Sequence, residues 1–133
     1  MLRIRKEQID ELAKAALRRF EDDMVVHLRK FFAEECESLG EGGTRQVIRY
    51  AIEHAADYDI VSQRDVCIYT DVMFAFGRDF DYDPKLPWAA QILNDKSLQG
   101  RPSEKVDKLY DAALKNIQKA TGLKPESEEP YND

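Results

Sequence analysis

A helical repeat of apolar residues between positions 6 and 32 is the feature that most limits what this chain can fold into. Its apolar residues recur at spacings of three and four, which places them along one face of an α-helix. They are Ile9, Leu12, Ala13, Ala16, Leu17, Phe20, Met24, Leu28, Phe31 and Phe32. Like-charged pairs four residues apart, such as Lys14 with Arg18, oppose an isolated helix here. The helix therefore needs other elements packed against its apolar face.

Further helices are predicted downstream of a glycine-rich stretch at residues 40–43, which is typical of a turn. Thr44 is predicted to be the N-cap of a second helix. Ser62 and Asp65 have capping-box spacing, so a third helix is predicted to begin there and to end at Gly77. Because this third segment is apolar on most sides, we expect it to be the central and most buried helix.

The last part of the domain is predicted to contain a short helix and a long one. Pro87 suits the first turn of a helix that continues through Leu93. Ser103 is the predicted N-cap of the final helix, and Gly122 is predicted to end it. No segment alternates apolar and polar residues as a half-buried strand does, so the sequence predicts an all-α fold.

Length and composition predict one compact bundle of about five helices over residues 1–122. The chain has 133 residues, of which 43% are hydrophobic, and a chain of this size forms one core without needing disulfides. Residues 123–133 contain two prolines and four acidic residues, and this acidic C-terminal tail is predicted to be flexible.

The charge and the apolar pattern exclude several classes of protein. The net charge is −6, which argues against nucleic-acid binding, since that needs a basic face. No stretch approaches the roughly 18 apolar residues of a membrane span, and no secretory signal is apparent. We therefore expect a cytoplasmic protein in which Cys36 and Cys67 are free, buried thiols.

The charge is unevenly distributed along the chain. Residues 1–19 carry six basic against three acidic residues, and the last eleven carry four acidic against one basic. In most proteins such stretches of like-charged residues are solvent-exposed helix faces or tails with no binding role. The alternative is an electrostatic docking surface for a protein partner, and Arg18 and Arg19 are its candidate residues.

Three alternating carboxylates, Asp79, Asp81 and Asp83, resemble the start of a calcium-binding loop. Pro84 replaces the glycine that the sharp turn of such a loop requires, and Ala90 stands where a bidentate glutamate belongs. These aspartates are therefore weak metal candidates. The favoured interpretation is that they cap backbone amides in a structured loop, and no cofactor is expected.

The two histidines, His27 and His54, have no second ligand at metal-binding spacing in the sequence. A catalytic role would require folding to bring a nucleophile or a carboxylate to one of them. Cys67 lies near a predicted helix N-terminus, which can activate a thiol, but its apolar surroundings favour a packing role. With no catalytic motif in the sequence, the protein is not expected to be an enzyme.

Aromatic residues are dense around the same loop, and Phe80, Tyr82 and Trp88 are the candidate partner-binding residues among them. Core packing is one explanation, and exposed interface anchors are the other. We expect the segment from Asp79 to Trp88 to be ordered, with Trp88 packed on the third helix and Asp79 or Asp83 capping backbone amides.

Several segments together resemble a family of small bacterial proteins found in type VI secretion gene neighbourhoods. These segments are IRKEQ (4–8), ALRRFEDDMV (16–25), MFAFG (73–77), DFD (79–81) and LPWA (86–89). The resemblance covers most of residues 4–120, includes no catalytic motif and carries over no functional residue. It implies an accessory role near secretion spikes and toxic effectors.

Three functions follow as expectations. The first is a non-enzymatic adaptor or chaperone for a type VI secretion spike or effector. The second is an immunity protein, since an acidic chain suits a basic toxin. The third is a small metal-dependent enzyme that uses Asp79, Asp81, Asp83 and a histidine.

Overall fold

The computed structural model describes the backbone of residues 6–121 and the side chains of residue 11 and residues 13–119. Within that part of the chain the fold is an all-α bundle of five α-helices, as predicted, with one 3-10 turn and no strand. The helices are α1 (Lys6–Phe31), α2 (Ala33–Asp57), α3 (Gln63–Phe76), α4 (Pro87–Leu93) and α5 (Pro102–Thr121), and the 3-10 turn is Lys96–Leu98. None of the described helices has the length and apolarity to span a membrane.

Helix α2 is broken at Gly40, where the predicted turn lies. Gly40 has φ 72° and ψ 172°, a conformation that glycine adopts without strain. The helix resumes directly after Gly40, so the prediction of Thr44 as an N-cap was wrong. The Thr44 hydroxyl lies inside the helix and donates a 2.8 Å hydrogen bond to the Gly40 carbonyl, one turn earlier.

Helix α3 is the central helix of the bundle, as predicted. The Ser62 hydroxyl accepts a 3.3 Å hydrogen bond from the Asp65 N–H, which confirms the predicted N-cap. Gly77 ends the helix at φ 113°, and its N–H donates to the Met73 carbonyl. Because α3 packs against α1, α2 and α5, most of its residues between 65 and 73 are buried.

Helix α5 begins at Pro102, so Ser103 is inside the helix and is not its N-cap, contrary to the prediction. The Ser103 hydroxyl instead donates a 2.7 Å hydrogen bond to the Asp65 carboxylate, which links α5 to the first turn of α3. Pro102 takes the first helical position because its missing N–H costs nothing there. Gly122 and the predicted tail at 123–133 lie outside the described residues.

The apolar core consists of two buried clusters, both of which include residues of α2 and pack against Phe74 of α3. The larger one is formed by α2, α3, α4, α5 and the loop between α3 and α4, with Tyr69 and Phe80 among its largest side chains. The smaller one packs the C-terminal half of α1 against α2. Its members are Met24, Val25, Leu28, Cys36 and Ile48.

Candidate functional site

Between residues 13 and 17, α1 exposes the apolar face that its second half buries. Leu17, Met24 and Leu28 lie on one face of this helix because they are seven and four residues apart. Met24 and Leu28 are buried, whereas Leu17 is 53% exposed. Ala13 and Ala16 are also exposed. The α1 stripe therefore continues past the edge of the core, where the described part of the chain does not cover it.

A cleft of about 440 Å³ lies between this part of α1 and the second half of α2. We call it the α1–α2 cleft, and it is lined by Lys14, Leu17, Arg18, Glu21, Arg49, Ile52 and Glu53. Leu17 and Ile52 supply its apolar surface. Arg18 and the neighbouring Arg19 are exposed, and neither forms an ion pair within the described residues. Of the two arginines predicted as partner-binding residues, Arg18 thus lines an exposed groove, and Arg19 is the next residue of the same helix.

Glu21 lines the α1–α2 cleft and connects α1 to α2 through hydrogen bonds. Its carboxylate accepts hydrogen bonds of 2.9 and 3.0 Å from Arg49 and one of 3.0 Å from Arg45. Arg45 also donates a 2.8 Å hydrogen bond to Asp22. Hydrogen bonding by Arg49 lowers the pKa of Glu21, although burial opposes this shift. These hydrogen bonds hold α1 against α2 one turn after Leu17. The exposed Leu17 therefore lies next to a part of α1 that is fixed to the bundle.

The loop between α3 and α4 does not bring its three aspartates together. Asp79 accepts a 2.9 Å hydrogen bond from the Tyr50 hydroxyl, and Asp81 accepts one of 2.7 Å from Tyr58. Asp83 accepts a 2.9 Å hydrogen bond from the Lys85 N–H, which confirms the predicted capping of a backbone amide. Among the described residues, the only group of three or more His, Cys, Asp or Glu side chains close enough to hold one metal ion lies outside this loop. The geometry of the loop thus does not support the prediction that Asp79, Asp81 and Asp83 bind a metal ion.

The loop aromatics divide into core and surface residues. Phe80 is 1% exposed and packs on Tyr69 with ring centroids 5.1 Å apart, so it belongs to the core and is not available to a partner. Trp88 is half-buried and meets Phe76 of α3 edge to face at 5.1 Å, which confirms its predicted packing on the third helix. Tyr82 is 63% exposed. Of the three predicted anchors, Tyr82 is the accessible one.

Folding brings His27 together with two residues that are distant from it in the sequence. Its Nε2 lies 2.8 and 3.0 Å from the two carboxylate oxygens of Asp71. Ligand atoms of His27, Cys67 and Asp71 all lie within 4.8 Å of one another, and all three residues are partly buried. We call this group the His27 cluster. From the sequence, His27 was expected to be a structural or surface histidine and Cys67 a packing residue, and Asp71 was not among the candidates.

The electrostatics of the His27 cluster favour a charged imidazole. The hydrogen bond with Asp71 and then that with Cys67 raise the pKa of His27 to about 10, against the opposing effect of burial. Burial raises the pKa of Asp71, and its hydrogen bond with His27 acts in the opposite direction. At neutral pH the imidazole is therefore protonated and pairs with the Asp71 carboxylate.

The other histidine and cysteine occupy ordinary structural positions. His54 stacks on Tyr50, with ring centroids 3.9 Å apart. Cys36 is a free thiol that is buried in the smaller core cluster, as predicted. Cys67 is also free but is only partly buried.

Comparison with protein-family models, with curated proteins and with solved structures gave no match. We therefore infer function from the geometry and chemistry of the described residues.

Proposed function

We propose that this protein is a non-enzymatic binding factor that docks a protein partner on the exposed surface of α1 around Leu17. The observation that carries the proposal is the apolar stripe of α1, which is buried at Met24 and Leu28 but exposed at Leu17. An amphipathic helix gains most of its stability by packing its apolar face. A partner that covers Leu17 and the α1–α2 cleft would supply this packing.

The charge around the cleft indicates the chemistry of the partner. Arg18 and Arg19 are exposed and form no ion pair within the described chain, so they are available to acidic side chains. A partner segment with an apolar anchor for the Leu17 groove and flanking acidic residues fits this surface. Arginine is favoured at such interfaces because its planar guanidinium pairs with carboxylates in a bidentate way.

The resemblance to proteins of type VI secretion neighbourhoods supplies the class of partner. We propose that the protein acts in the cytoplasm as an adaptor or chaperone for a secretion spike or effector. An immunity role would use the overall acidity of the chain, a net charge of −6, against a basic toxin. Lys14, Arg18 and Arg49 outnumber Glu21 and Glu53 in the lining of the groove, which suits an acidic partner better and favours the adaptor.

Charge reversal at the groove tests this proposal in the native host. The tagged variant R18E/R19E is compared with K115E/K119E, which reverses two exposed lysines on α5. Both variants change the net charge equally. We expect wild type and K115E/K119E to enrich the same spike or effector protein, and R18E/R19E to reduce that enrichment by about tenfold or more, because rim charges govern association.

Two results contradict the proposal. One is the absence of any spike or effector protein from the wild-type sample. The other is an equal loss of the partner in both charge-reversal variants, which would show a dependence on net charge and not on the α1 surface. Capture of a toxin whose inhibition of growth is relieved by co-expression of this protein would assign the immunity role instead.

A further inference from the structure

We propose that the His27 cluster is a binding site for a transition-metal ion, with Zn²⁺ as the best match. Its ligands would be the His27 imidazole from α1 and the Cys67 thiolate and Asp71 carboxylate from α3. This proposal is independent of the docking surface of α1 around Leu17.

The backbone places the three side chains so that they converge. Cys67 and Asp71 are four residues apart on α3, so they share one face of that helix. His27 lies in the half of α1 that packs against the bundle, and its Nε2 reaches both carboxylate oxygens of Asp71. Two rigid helices thus hold a nitrogen, a sulfur and an oxygen ligand within 4.8 Å of one another.

The distances require only a small adjustment for a metal. Zinc bonds of about 2.0–2.3 Å in a tetrahedral site place ligand atoms roughly 3.3–3.7 Å apart. The Nε2–Oδ1 distance of 2.8 Å would lengthen slightly, and no pair of atoms needs to close from more than 4.8 Å. On binding, the ion would displace the proton from Nε2 of His27 and the proton from the Cys67 thiol, and both protons would be released to solvent.

The set of donors determines which metal fits. Thiolate and imidazole together favour zinc and similar transition metals. Ca²⁺ and Mg²⁺ require oxygen ligands, and the cluster offers a single carboxylate. The Cys67 thiol hydrogen-bonds His27 and so also supports the ion pair with Asp71, but it adds a sulfur ligand atom that an ion pair does not need. The presence of Cys67 beside both groups distinguishes the cluster from a simple salt bridge.

Three protein ligands leave one position of a tetrahedral zinc ion open. A cleft of about 240 Å³ adjoins the cluster, and both His27 and Asp71 line it. The rest of its wall is mainly apolar, and includes Phe31, Val72 and Leu114. The open position would therefore face this cleft, where a water molecule or a small ligand could complete the coordination.

Cobalt substitution tests the proposal on the full chain. The purified protein is freed of metal with a chelator and titrated with Co²⁺, whose absorption reports a thiolate ligand through a charge-transfer band and tetrahedral geometry through its visible bands. Zn²⁺ affinity is measured by calorimetry on the same sample. We expect one equivalent of Co²⁺ to give both signals and Zn²⁺ to displace it.

The second cysteine and the second histidine of the chain provide matched controls. We expect Cys67→Ser and His27→Gln each to weaken zinc binding by about 100-fold or more, because each removes a direct ligand. Cys36→Ser and His54→Gln should leave the affinity within about twofold of wild type, because neither side chain belongs to the cluster. Circular dichroism confirms that each variant is folded.

The absorption spectrum of the wild-type protein with Co²⁺ tests the proposal even if a variant of the cluster fails to fold. Absence of a thiolate-to-cobalt band overturns the proposal. Zinc binding that Cys36→Ser or His54→Gln weakens as much as Cys67→Ser does also overturns it, because the ion would then be bound elsewhere.

Discussion

Replacing Phe80 with alanine is expected to lower the free energy of unfolding by about 3–5 kcal/mol, as large-to-small changes of buried aromatics do. Phe80 comes from an irregular loop, yet it is 1% exposed and packs on Tyr69 at the centre of the larger core cluster. Its loss would leave a cavity between α3 and the loop that rigid helices cannot fill. Chemical denaturation monitored by circular dichroism measures the effect.

Tyr82 gives a matched control two residues away in the same loop. It is 63% exposed, so Tyr82→Ala should change the free energy of unfolding by less than about 0.5 kcal/mol. Equal stability of the two variants would show that Phe80 is not part of the core and that the loop is not held by it.

Replacing Glu21 with alanine is expected to cost about 2 kcal/mol. The change removes three charge-assisted hydrogen bonds from Arg45 and Arg49 that connect α1 to α2. Such bonds contribute roughly 1.5–3 kcal/mol each when isolated. The total stays below the 3–5 kcal/mol for breaking a buried pair, because the Arg49 side chain is 62% exposed and water can solvate the released charge.

The pH dependence of the free energy of unfolding distinguishes an ionic contribution of Glu21 from a contribution of its packing. The lowered pKa of folded Glu21 means that its contribution is present above the pKa of an unfolded glutamate, about 4.3. That contribution is lost as the pH falls through the lower pKa of the folded state. Glu21→Gln should therefore approach wild-type stability at low pH, whereas Asp22→Asn, at an exposed partner of Arg45, should match wild type throughout. A constant difference between Glu21→Gln and wild type at every pH would contradict this.

The architecture was predictable because helix periodicity and end signals are local properties of a sequence. The stripe of α1, the Ser62 N-cap and the glycine at the end of α3 act within a few residues. The errors at Thr44 and Ser103 have a shared cause. Threonine and serine are both common N-cap residues. The break at Gly40, one turn before Thr44, and Pro102, directly before Ser103, determine where the helices actually begin.

The candidate sites were less predictable because they depend on which helices meet. The four-residue spacing of Cys67 and Asp71 on one helix face was a readable signal. His27 of α1 is 44 positions from Asp71 in the sequence. No pattern within a few residues of either one indicates that folding brings them together. Arg18 and Arg19 could be selected from charge alone, but the exposure of Leu17 beside them depends on where the packing of α1 ends.

A photo-crosslinking residue at position 17 tests the proposed docking surface most directly. The same residue at position 61 is the control, since Val61 is 73% exposed but lies in the connection between α2 and α3. In the native host, the residue at position 17 should form a covalent adduct with a spike or effector protein, and the residue at position 61 should not. Absence of an adduct at position 17, or the same adducts at both positions, would contradict docking on α1.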